Sequence, residues 1–440
     1  MSVNDSMQEG FLERTFKLKE HQTDTKTEVL AGITTFMTMA YILIVNPLIL
    51  SDAGMDFGAV FTATALASIV ATLVMAFYAN YPFALAPGMG LNAFFAYGIV
   101  LGMGYSWQMA LAAVFIEGLI FILLTMLNVR EAIVRSIPIN LKHAVSVGIG
   151  LFIAFIGLSN AGVVVPYEAT IVTLGDMTSP SALMALIGLI VTGILLAKNV
   201  KGALLIGIFI TTLIGLPLGL TQLPGNIMSA PPSLAPVFLQ FDFSRLFSLD
   251  MLVILFTLLF VDMFDTLGTL VGVADKADML DEEGHLPKAK QALFADAVGT
   301  TAGACLGTST VTTYVESAAG VAEGGRTGLT ALSTAGMFVI ALLFSPLFIM
   351  IPGAATAPAL ILVGLFMMSP IKKINMEDFT ESIPAFMTII MMPLTYSIAD
   401  GIVFGMVSYT ALKILTGKMK DVSGIMIVLS ILFIIKFAVG

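Results

Sequence analysis

Charged residues are scarce in this sequence, since only 11% of its 440 residues are Asp, Glu, Lys or Arg, whereas 58% are hydrophobic. A soluble domain carries charge on about a quarter of its residues. The single cysteine, Cys305, excludes a disulfide framework within the chain. A bilayer core about 30 Å thick needs about 20 apolar residues per helix, and such segments follow one another along almost the whole chain. The composition therefore indicates a polytopic membrane protein without a large soluble domain.

Motifs for ATP-driven pumping and for metal or nucleophilic catalysis are also missing. No G-x-x-x-x-G-K-[ST] phosphate-binding loop occurs, which argues against ATP-driven transport by this chain. The three histidines, His21, His143 and His285, lack the spacing of metal ligands. Nothing resembles a basic patch for nucleic acid. We therefore expect a membrane protein that is not an enzyme, with no metal, no cofactor and no nucleic-acid partner.

The apolar segments fall into two sets of seven. We assign the first set to residues 28–220 and the second to residues 248–416, with a Pro- and Gly-rich extracytoplasmic linker, residues 221–247, between them. Residues 1–27 form a polar N-terminal segment, and residues 417–440 hold a further apolar segment whose crossing the sequence leaves open. Each set contains two long helices, a short broken third segment and four more. This matched spacing predicts an internal repeat.

Lys and Arg positions predict the topology. If the N-terminus is cytoplasmic and every segment crosses, all 20 Lys and Arg except Arg245 and Lys436 lie on the cytoplasmic side. The positive-inside rule requires such a bias. Seven crossings per set give the second set the opposite orientation, so that the predicted repeat is inverted. We expect a multi-pass protein of the inner (cytoplasmic) membrane with a cytoplasmic N-terminus.

The third segment of each set is too irregular for an ordinary helix. Segment 3, residues 82–97, contains Pro87, Gly88 and Gly90, which remove or loosen helical hydrogen bonds. Segment 10, residues 307–320, is a run of Thr, Ser, Val and Tyr that favours β-structure. Backbone of this kind in lipid must be buried in protein or line a cavity. Paired broken segments at matching positions are the best sequence indication of a transporter's binding site.

Ionisable residues inside the apolar segments are the next candidates. Asp262 and Asp265 are three residues apart in segment 8 and share one helical face. Each charged carboxylate costs at least about 2.5–3.5 kcal/mol at the bilayer centre. Glu316 follows the irregular run of segment 10, and Asn92 lies just beyond the break in segment 3. A structural hydrogen bond is the alternative role for each, and Asp262 can simply brace Asp265.

Other residues in these segments favour structural roles. Glu117 and Asp296 suit hydrogen bonds between helices. Asp400 precedes a glycine at a predicted turn, where Asp-Gly needs no function. Phe94 and Phe95 suit packing better than stacking on a ligand.

Four motifs together resemble the AzgA-like purine permeases of the nucleobase–ascorbate transporter superfamily, and among these the bacterial guanine/hypoxanthine permeases most. The motifs are AGITTFMTMAYILIVNP in segment 1, APGMGLNAFFAY in segment 3, VDMFDTLGTLVGVA in segment 8 and GTSTVTTYVESAAGVAEGGRTGLTA in segment 10. The resemblance covers essentially the whole chain. It implies an all-α polytopic membrane protein of fourteen transmembrane segments in a 7+7 inverted repeat, with short β-strands in segments 3 and 10 and with core and gate domains.

The resemblance also implies import of a purine nucleobase by proton symport. The family's acidic residue of segment 8 corresponds to Asp265, its glutamate of segment 10 to Glu316, and its segment 3 asparagine to Asn92, preceded by Gly90. Thr269 stands where the uracil relatives have a histidine, which puts a histidine role in doubt. Relatives are often dimers, so a homodimer is open here too.

Hydrogen-bonding chemistry fits guanine or hypoxanthine as the substrate. Carboxylates accept from the N–H groups of the base, and an asparagine amide can donate and accept. The predicted substrate-binding residues are Asp265, Glu316, Asn92, Gly90, Tyr314 and Val315, and the predicted proton-coupling residues are Glu316, Asp265 and Asp262. The expected partners are a purine nucleobase, protons and membrane lipid.

Two alternatives remain at this point. The first is a transporter of the same fold for adenine, xanthine, uracil or an inorganic anion. The second is an ion channel, although acidic residues on segments 8 and 10 suit a carrier that protonates its carboxylates better. The sequence leaves substrate ranking, proton stoichiometry and oligomeric state open.

Overall fold

Helices dominate the computed structural model of the chain, which describes residues 10–127, 138–246, 248–277, 279–281 and 286–439. Within these ranges, eight helices are long and apolar enough to cross a membrane, and four shorter apolar helices accompany them. The prediction of a helical, multi-pass membrane protein is therefore confirmed. The fourteen crossings in a 7+7 arrangement stay a prediction, as do the boundaries of the two repeats.

In the described residues, the first half of the chain contains helices α1 to α9 and three strands. In chain order the elements are α1 (Phe11–Phe16), α2 (Thr25–Met39), α3 (Ile42–Asp52), α4 (Phe57–Val74), β1 (Leu85–Pro87), α5 (Met89–Ala93), α6 (Trp107–Met126), α7 (Ile139–Asn160), β2 (Val164–Tyr167), β3 (Ile171–Leu174), α8 (Pro180–Ala197) and α9 (Ala203–Ile214). Two π-helical stretches extend α4 and α5, at Met75–Ala79 and Phe94–Gly102.

The described part of the second half contains helices α10 to α18 and one strand. The elements are α10 (Leu249–Lys276), α11 (Ala289–Leu306), β4 (Val311–Thr313), α12 (Ser317–Ala322), α13 (Gly328–Leu343), α14 (Ser345–Ile349), α15 (Gly353–Met367), α16 (Phe379–Thr395), α17 (Ile398–Leu415) and α18 (Gly424–Val439). Short 3₁₀ turns follow α15 and α17, at Ser369–Lys373 and Met419–Asp421.

The helices pack in two groups. The first group consists of α2 to α6 with α10 to α13 and includes β1 and β4, whereas the second group consists of α7, α8, α9, α15, α16 and α17. Packing within each group is extensive, and packing between the groups is much sparser. Each group is therefore packed as a separate unit.

Small residues let the helices approach closely within each group. In the second group, a Cβ on Gly150 would lie 2.5 Å from the carbonyl oxygen of Gly364, so α7 and α15 touch backbone to backbone. In the first group, a Cβ on Gly118 would lie 2.8 Å from the backbone nitrogen of Thr301. Because lipid gives helices no hydrophobic drive to associate, close contacts of this kind supply much of the packing energy.

Strands β1 and β4 lie in segments 3 and 10, where the family resemblance implied short strands, and they pair inside the first group. They are antiparallel and fully buried, with Leu85 opposite Thr313, Ala86 opposite Thr312 and Pro87 opposite Val311. Their pairing satisfies only part of the backbone. In lipid, the remaining N–H and C=O groups also need partners within the protein.

Two threonines provide those partners in the same way on each strand. Thr72 Oγ1, on α4, accepts from the N–H of Leu85 at 3.0 Å and donates to its carbonyl at 3.2 Å. Thr300 Oγ1, on α11, accepts from the N–H of Val311 at 3.2 Å and donates to its carbonyl at 3.0 Å. Each hydroxyl thus makes the hydrogen bonds that a third strand would make in a larger sheet.

A second, exposed hairpin joins α7 to α8. β2 and β3 pair antiparallel in a segment that the sequence analysis left as a connection, and all of β3 is exposed. β-branched residues and Tyr167 account for its strand propensity.

The last helix, α18, packs on α17 and also reaches α10. The hydroxyl of Ser430 donates to Thr410 Oγ1 at 2.8 Å, and the Phe433 ring meets Phe256 on α10 at 5.5 Å between centroids. Its 16 residues are fewer than the about 20 that a perpendicular crossing needs.

Candidate functional site

A cavity of about 910 Å³ lies between the two helix groups, next to the β1–β4 pair. The first group contributes the strand ends and one face of α10 to its wall. The second group contributes α7 together with α15 and the 3₁₀ turn that follows it. The cavity thus lies where relative movement of the two groups would change its shape.

Two of the predicted carboxylates, Asp265 and Glu316, line this cavity together. Asp265 projects from the middle of α10, and Glu316 lies between β4 and α12. Both side chains are partly exposed, whereas Asp262, Glu117 and Asp296 of the same group are fully buried. Two carboxyl groups that are far apart in the sequence therefore share one solvent-accessible space within the helix bundle.

Tyr41 is a wall residue that the sequence analysis did not single out. It sits at the short break between α2 and α3, where its ring is 2% exposed. Its hydroxyl donates a hydrogen bond to Glu316 Oε1 at 2.7 Å. The one available signal was a tyrosine within an otherwise apolar segment, because a buried hydroxyl needs a partner.

Three further predicted residues also line the cavity. Tyr314 is nearly buried, and its hydroxyl donates to the carbonyl of Pro87 at 2.6 Å, which holds the ring against β1. Val315 is 54% exposed. Gly90 lies at the beginning of α5, where an added Cβ would stand 2.8 Å from Cγ2 of Ile149 on α7. The first and second groups are therefore in close contact at Gly90.

Asn92 lies behind the wall rather than in it. Its side chain is fully buried, its Oδ1 accepts from the hydroxyl of Ser309, and its Nδ2 lies 3.5 Å from the carbonyl oxygen of Pro87. These contacts join α5 to the residues before β4. Direct contact between Asn92 and a substrate stays a prediction, and the visible role of the amide is to position the strand ends.

Asp262 is buried one turn away from Asp265 on α10. The hydroxyl of Thr266 lies 3.1 Å from Asp262 Oδ1 and 2.7 Å from Oδ1 of Asp296 on α11. A hydroxyl has one hydrogen to donate. Protonation of either carboxyl group would supply a second donor. Asp262, Thr266 and Asp296 together could therefore hold a proton.

The residues that the sequence analysis assigned to structural roles have structural contacts. Glu117 Oε2 accepts from the hydroxyl of Thr310, next to β4, at 2.6 Å. Asp400 lies in the first turn of α17, where the helix dipole favours an acidic side chain. Phe94 and Phe95 are fully buried among apolar side chains.

No group of three or more His, Cys, Asp or Glu that could hold a metal ion occurs among the residues described by the structure. His143 lines the cavity mouth, His21 lies in the N-terminal segment, and His285 lies outside the described residues.

A family model with the description "Permease family", that of the xanthine and uracil permeases, matches residues 26–404. The chain belongs to this permease family. Its resemblance to purine permeases is therefore confirmed, and so is the expectation that it is a transporter rather than an enzyme.

Two curated members of the family cover nearly the same length. The guanine/hypoxanthine permease PbuG of Bacillus subtilis is 47% identical over 433 residues, 96% of this chain and 98% of that protein. The adenine permease AdeP of Escherichia coli is 46% identical over 428 residues, 97% of this chain and 96% of that protein.

Among solved structures, the fold is similar to the transmembrane domain of the cyanobacterial bicarbonate transporter BicA. The TM-score is 0.62 at 16% identity, and the match covers 86% of this chain and 96% of that chain. At this identity the similarity concerns the fold alone.

Proposed function

We propose that this protein imports a purine nucleobase, with guanine and hypoxanthine as the first candidates, across the cytoplasmic membrane by proton symport. The observation that carries the proposal is the pair Asp265 and Glu316 in one cavity between two separately packed helix groups. Family relatives named for purine bases support the substrate class.

In the proposed complex, the two carboxyl groups bind the polar edge of the base. Guanine and hypoxanthine present N–H donors beside a carbonyl, and Asp265 and Glu316 supply the matching acceptors. The first turn of the helix that begins at Met89 leaves backbone N–H groups for the carbonyl, as helix N-termini do. Ile149 and Met367 give the flat faces of the base an apolar surface.

Proton coupling follows from the same carboxyl groups. A protonated carboxyl group removes a charge from the membrane interior and gains a hydrogen-bond donor. We assign proton coupling to Glu316 and Asp265. Asp262 is assigned as an additional protonation site, because Thr266 links its carboxyl group to that of Asp296. Tyr41 then serves as a positioning residue that fixes the carboxyl group of Glu316.

Alternating access is proposed as movement of the first helix group, the core domain, against the second group, the gate domain. Thr72 binds the backbone of β1 in the same way as Thr300 binds the backbone of β4. This match between the two halves supports the proposed 7+7 inverted repeat of fourteen segments. With the N-terminus cytoplasmic, the end of the cavity near Lys142 and Lys373 faces the cytoplasm. The arrangement described here would then be inward-facing.

The direct test is uptake of radiolabelled guanine and hypoxanthine by cells or proteoliposomes, with and without a protonophore. We expect saturable uptake that the protonophore abolishes and that Glu316→Gln reduces at least tenfold. Glu168→Gln, an exposed glutamate in the β2–β3 hairpin, is the matched control. Wild-type uptake by Glu316→Gln would refute its assigned role, and current without saturable uptake would indicate a channel.

Adenine is the second candidate substrate, because an adenine permease and a guanine/hypoxanthine permease are almost equally similar to this chain. Adenine carries an amino group where guanine and hypoxanthine carry a carbonyl oxygen, so its hydrogen-bonding edge is different. Competition of labelled guanine by adenine, xanthine and uracil ranks the bases. If adenine were the only one of these bases to compete fully, adenine would be assigned as the substrate.

A further inference from the structure

The cavity is larger than one base requires and has two chemically different ends. Its volume of about 910 Å³ lies near the upper end of the range of about 300–1,000 Å³ that holds drug-sized ligands. The inner end carries Asp265 and Glu316. The other end, which we call the basic mouth, is lined by Lys142, His143 and Lys373.

The basic mouth comes from two elements of the second helix group. Lys142 and His143 lie in the first turns of α7, and Lys373 ends the 3₁₀ turn after α15. Ser146, Ser369 and Asp275 also line the cavity, and Ser146 donates its hydroxyl hydrogen to the carbonyl of Met367 at 3.1 Å. The described lining thus holds two lysines, the hydroxyl of Ser369 and one aspartate besides Asp265.

The distance between the two ends follows from helix geometry. Lys142 and Ile149 are both on α7, and Ile149 packs against Gly90 beside the proposed base site. Seven residues at 1.5 Å per residue place the mouth about 10 Å from that site. A purine nucleoside 5′-monophosphate, measured from the polar edge of its base to its phosphorus, spans a comparable distance.

Positive charge at the cytoplasmic end of a helix is expected of membrane proteins in general. Lys198 at the end of α8 illustrates this general case, because it does not line the cavity. Lys142 and Lys373 differ because both line the space that contains the carboxylates. Ammonium groups and hydroxyls in a partly enclosed space are suitable ligands for a phosphate monoester.

We propose that the basic mouth binds the phosphate of a purine nucleoside 5′-monophosphate whose base occupies the carboxylate site. The nucleotide would hold the two helix groups in the present arrangement and block uptake from the side of the mouth. This proposal rests on the proposed function, because the base of the nucleotide uses the same site as the transported base. Abundant purine nucleotides in the cytoplasm would thereby slow further import of the base.

The first experiment measures binding to the purified full-length protein in detergent, where membrane sidedness plays no part. Labelled guanine is displaced with guanosine 5′-monophosphate, guanosine, ribose 5-phosphate or inorganic phosphate. We expect the monophosphate to displace guanine at a concentration at least tenfold lower than guanosine. Equal potency of nucleotide and nucleoside, or displacement by phosphate alone, would overturn the proposal.

The variants separate the mouth from the base site. The double variant Lys142→Ala/Lys373→Ala should require at least tenfold more monophosphate, and its affinity for guanine should change less than twofold. Lys142→Arg/Lys373→Arg should retain the nucleotide effect, since the charge is kept. Lys198→Ala is the matched control and should behave as wild type. Unchanged nucleotide potency in the alanine double variant would refute the assignment.

Direct binding of labelled monophosphate distinguishes failure of this inference from failure of the proposed function. Wild-type protein that binds guanine but no nucleotide overturns the inference and leaves the proposed function intact. Wild-type protein that binds no purine base overturns the proposed function, and with it the shared base site. In proteoliposomes, inhibition should occur only with nucleotide on the face that carries Lys373, and equal inhibition from both faces would contradict the location.

Discussion

Replacement of Gly90 by alanine tests whether the two helix groups meet at the substrate site. Gly90 belongs to α5 of the first group, and an added Cβ would lie 2.8 Å from Cγ2 and 3.6 Å from Cδ1 of Ile149, and 3.8 Å from Cε of Met367. All three atoms belong to the second group. The added methyl group would therefore collide with the opposite domain and not with its own.

The size of the effect follows from the cost of overpacking. An extra methyl group in a well-packed site costs about 1–3 kcal/mol, which corresponds to about a 5- to 150-fold change in an equilibrium or rate. This cost applies only while Gly90 and Ile149 are adjacent. We therefore expect Gly90→Ala to lower the initial rate of base uptake by about tenfold or more, with little change in the amount of folded protein in the membrane.

The assay is the initial rate of labelled guanine uptake, normalised to membrane-inserted protein. The double variant Gly90→Ala/Ile149→Ala removes the clashing atom and should recover part of the lost uptake, which appears as a coupling of about 1 kcal/mol or more in a double-mutant cycle. Gly193→Ala on α8 is the control, since an added Cβ there meets nothing within 4 Å. Normal uptake by Gly90→Ala, or no recovery in the double variant, would refute the close approach of the two groups during transport.

Three other substitutions probe separate contacts. Tyr41→Phe removes the donor to Glu316 and should lower uptake efficiency about tenfold, mainly through KM, because hydrogen bonds to charged groups are worth about 1.5–3 kcal/mol. Thr300→Val leaves both backbone groups of Val311 unsatisfied and should lower the free energy of unfolding by about 1–3 kcal/mol, measured as a lower Tm. Lys413→Ala breaks a buried ion pair and should lower that free energy by about 3 kcal/mol, again measured by thermal unfolding.

Each of these substitutions has a matched control. Tyr167→Phe alters an exposed tyrosine of the β2–β3 hairpin, and Thr395→Val alters an exposed threonine at the end of α16. Lys17→Ala breaks an exposed ion pair with Glu20, which is worth little in water. An effect in a control as large as in its partner variant would refute the corresponding argument, as would wild-type behaviour of the partner variant.

Local sequence signals predicted the irregular parts of the fold well. Pro87 in segment 3 and the β-branched run around Val311 in segment 10 are incompatible with ordinary helices, and both form strands. The high cost of charge in lipid indicated Asp265 and Glu316, which share one cavity. These signals are intrinsic to the residues, so they are visible without knowledge of neighbours.

Contacts that depend on helix rotation were not predictable in the same way. Thr72 and Thr300 look like many other threonines of the apolar segments, and only the packed structure shows that each one faces a strand. Tyr41 reaches Glu316 because the break after α2 turns its ring inward. The hydrogen bond from Ser309 to Asn92 was not predictable either, because the sequence does not specify which face of α5 borders the cavity. Contact between Asn92 and the substrate stays a prediction.

The two strands of the buried sheet are also made at different times during synthesis. Pro87 and Tyr314, which are joined by a hydrogen bond across the sheet, are 227 residues apart in the chain. At about 5–20 residues per second, a ribosome needs about 11–45 s to make the second strand after the first. During that interval β1 already has its threonine partner but lacks β4. The newly made first half must therefore remain in the membrane with one edge of β1 unpaired until the second half is made.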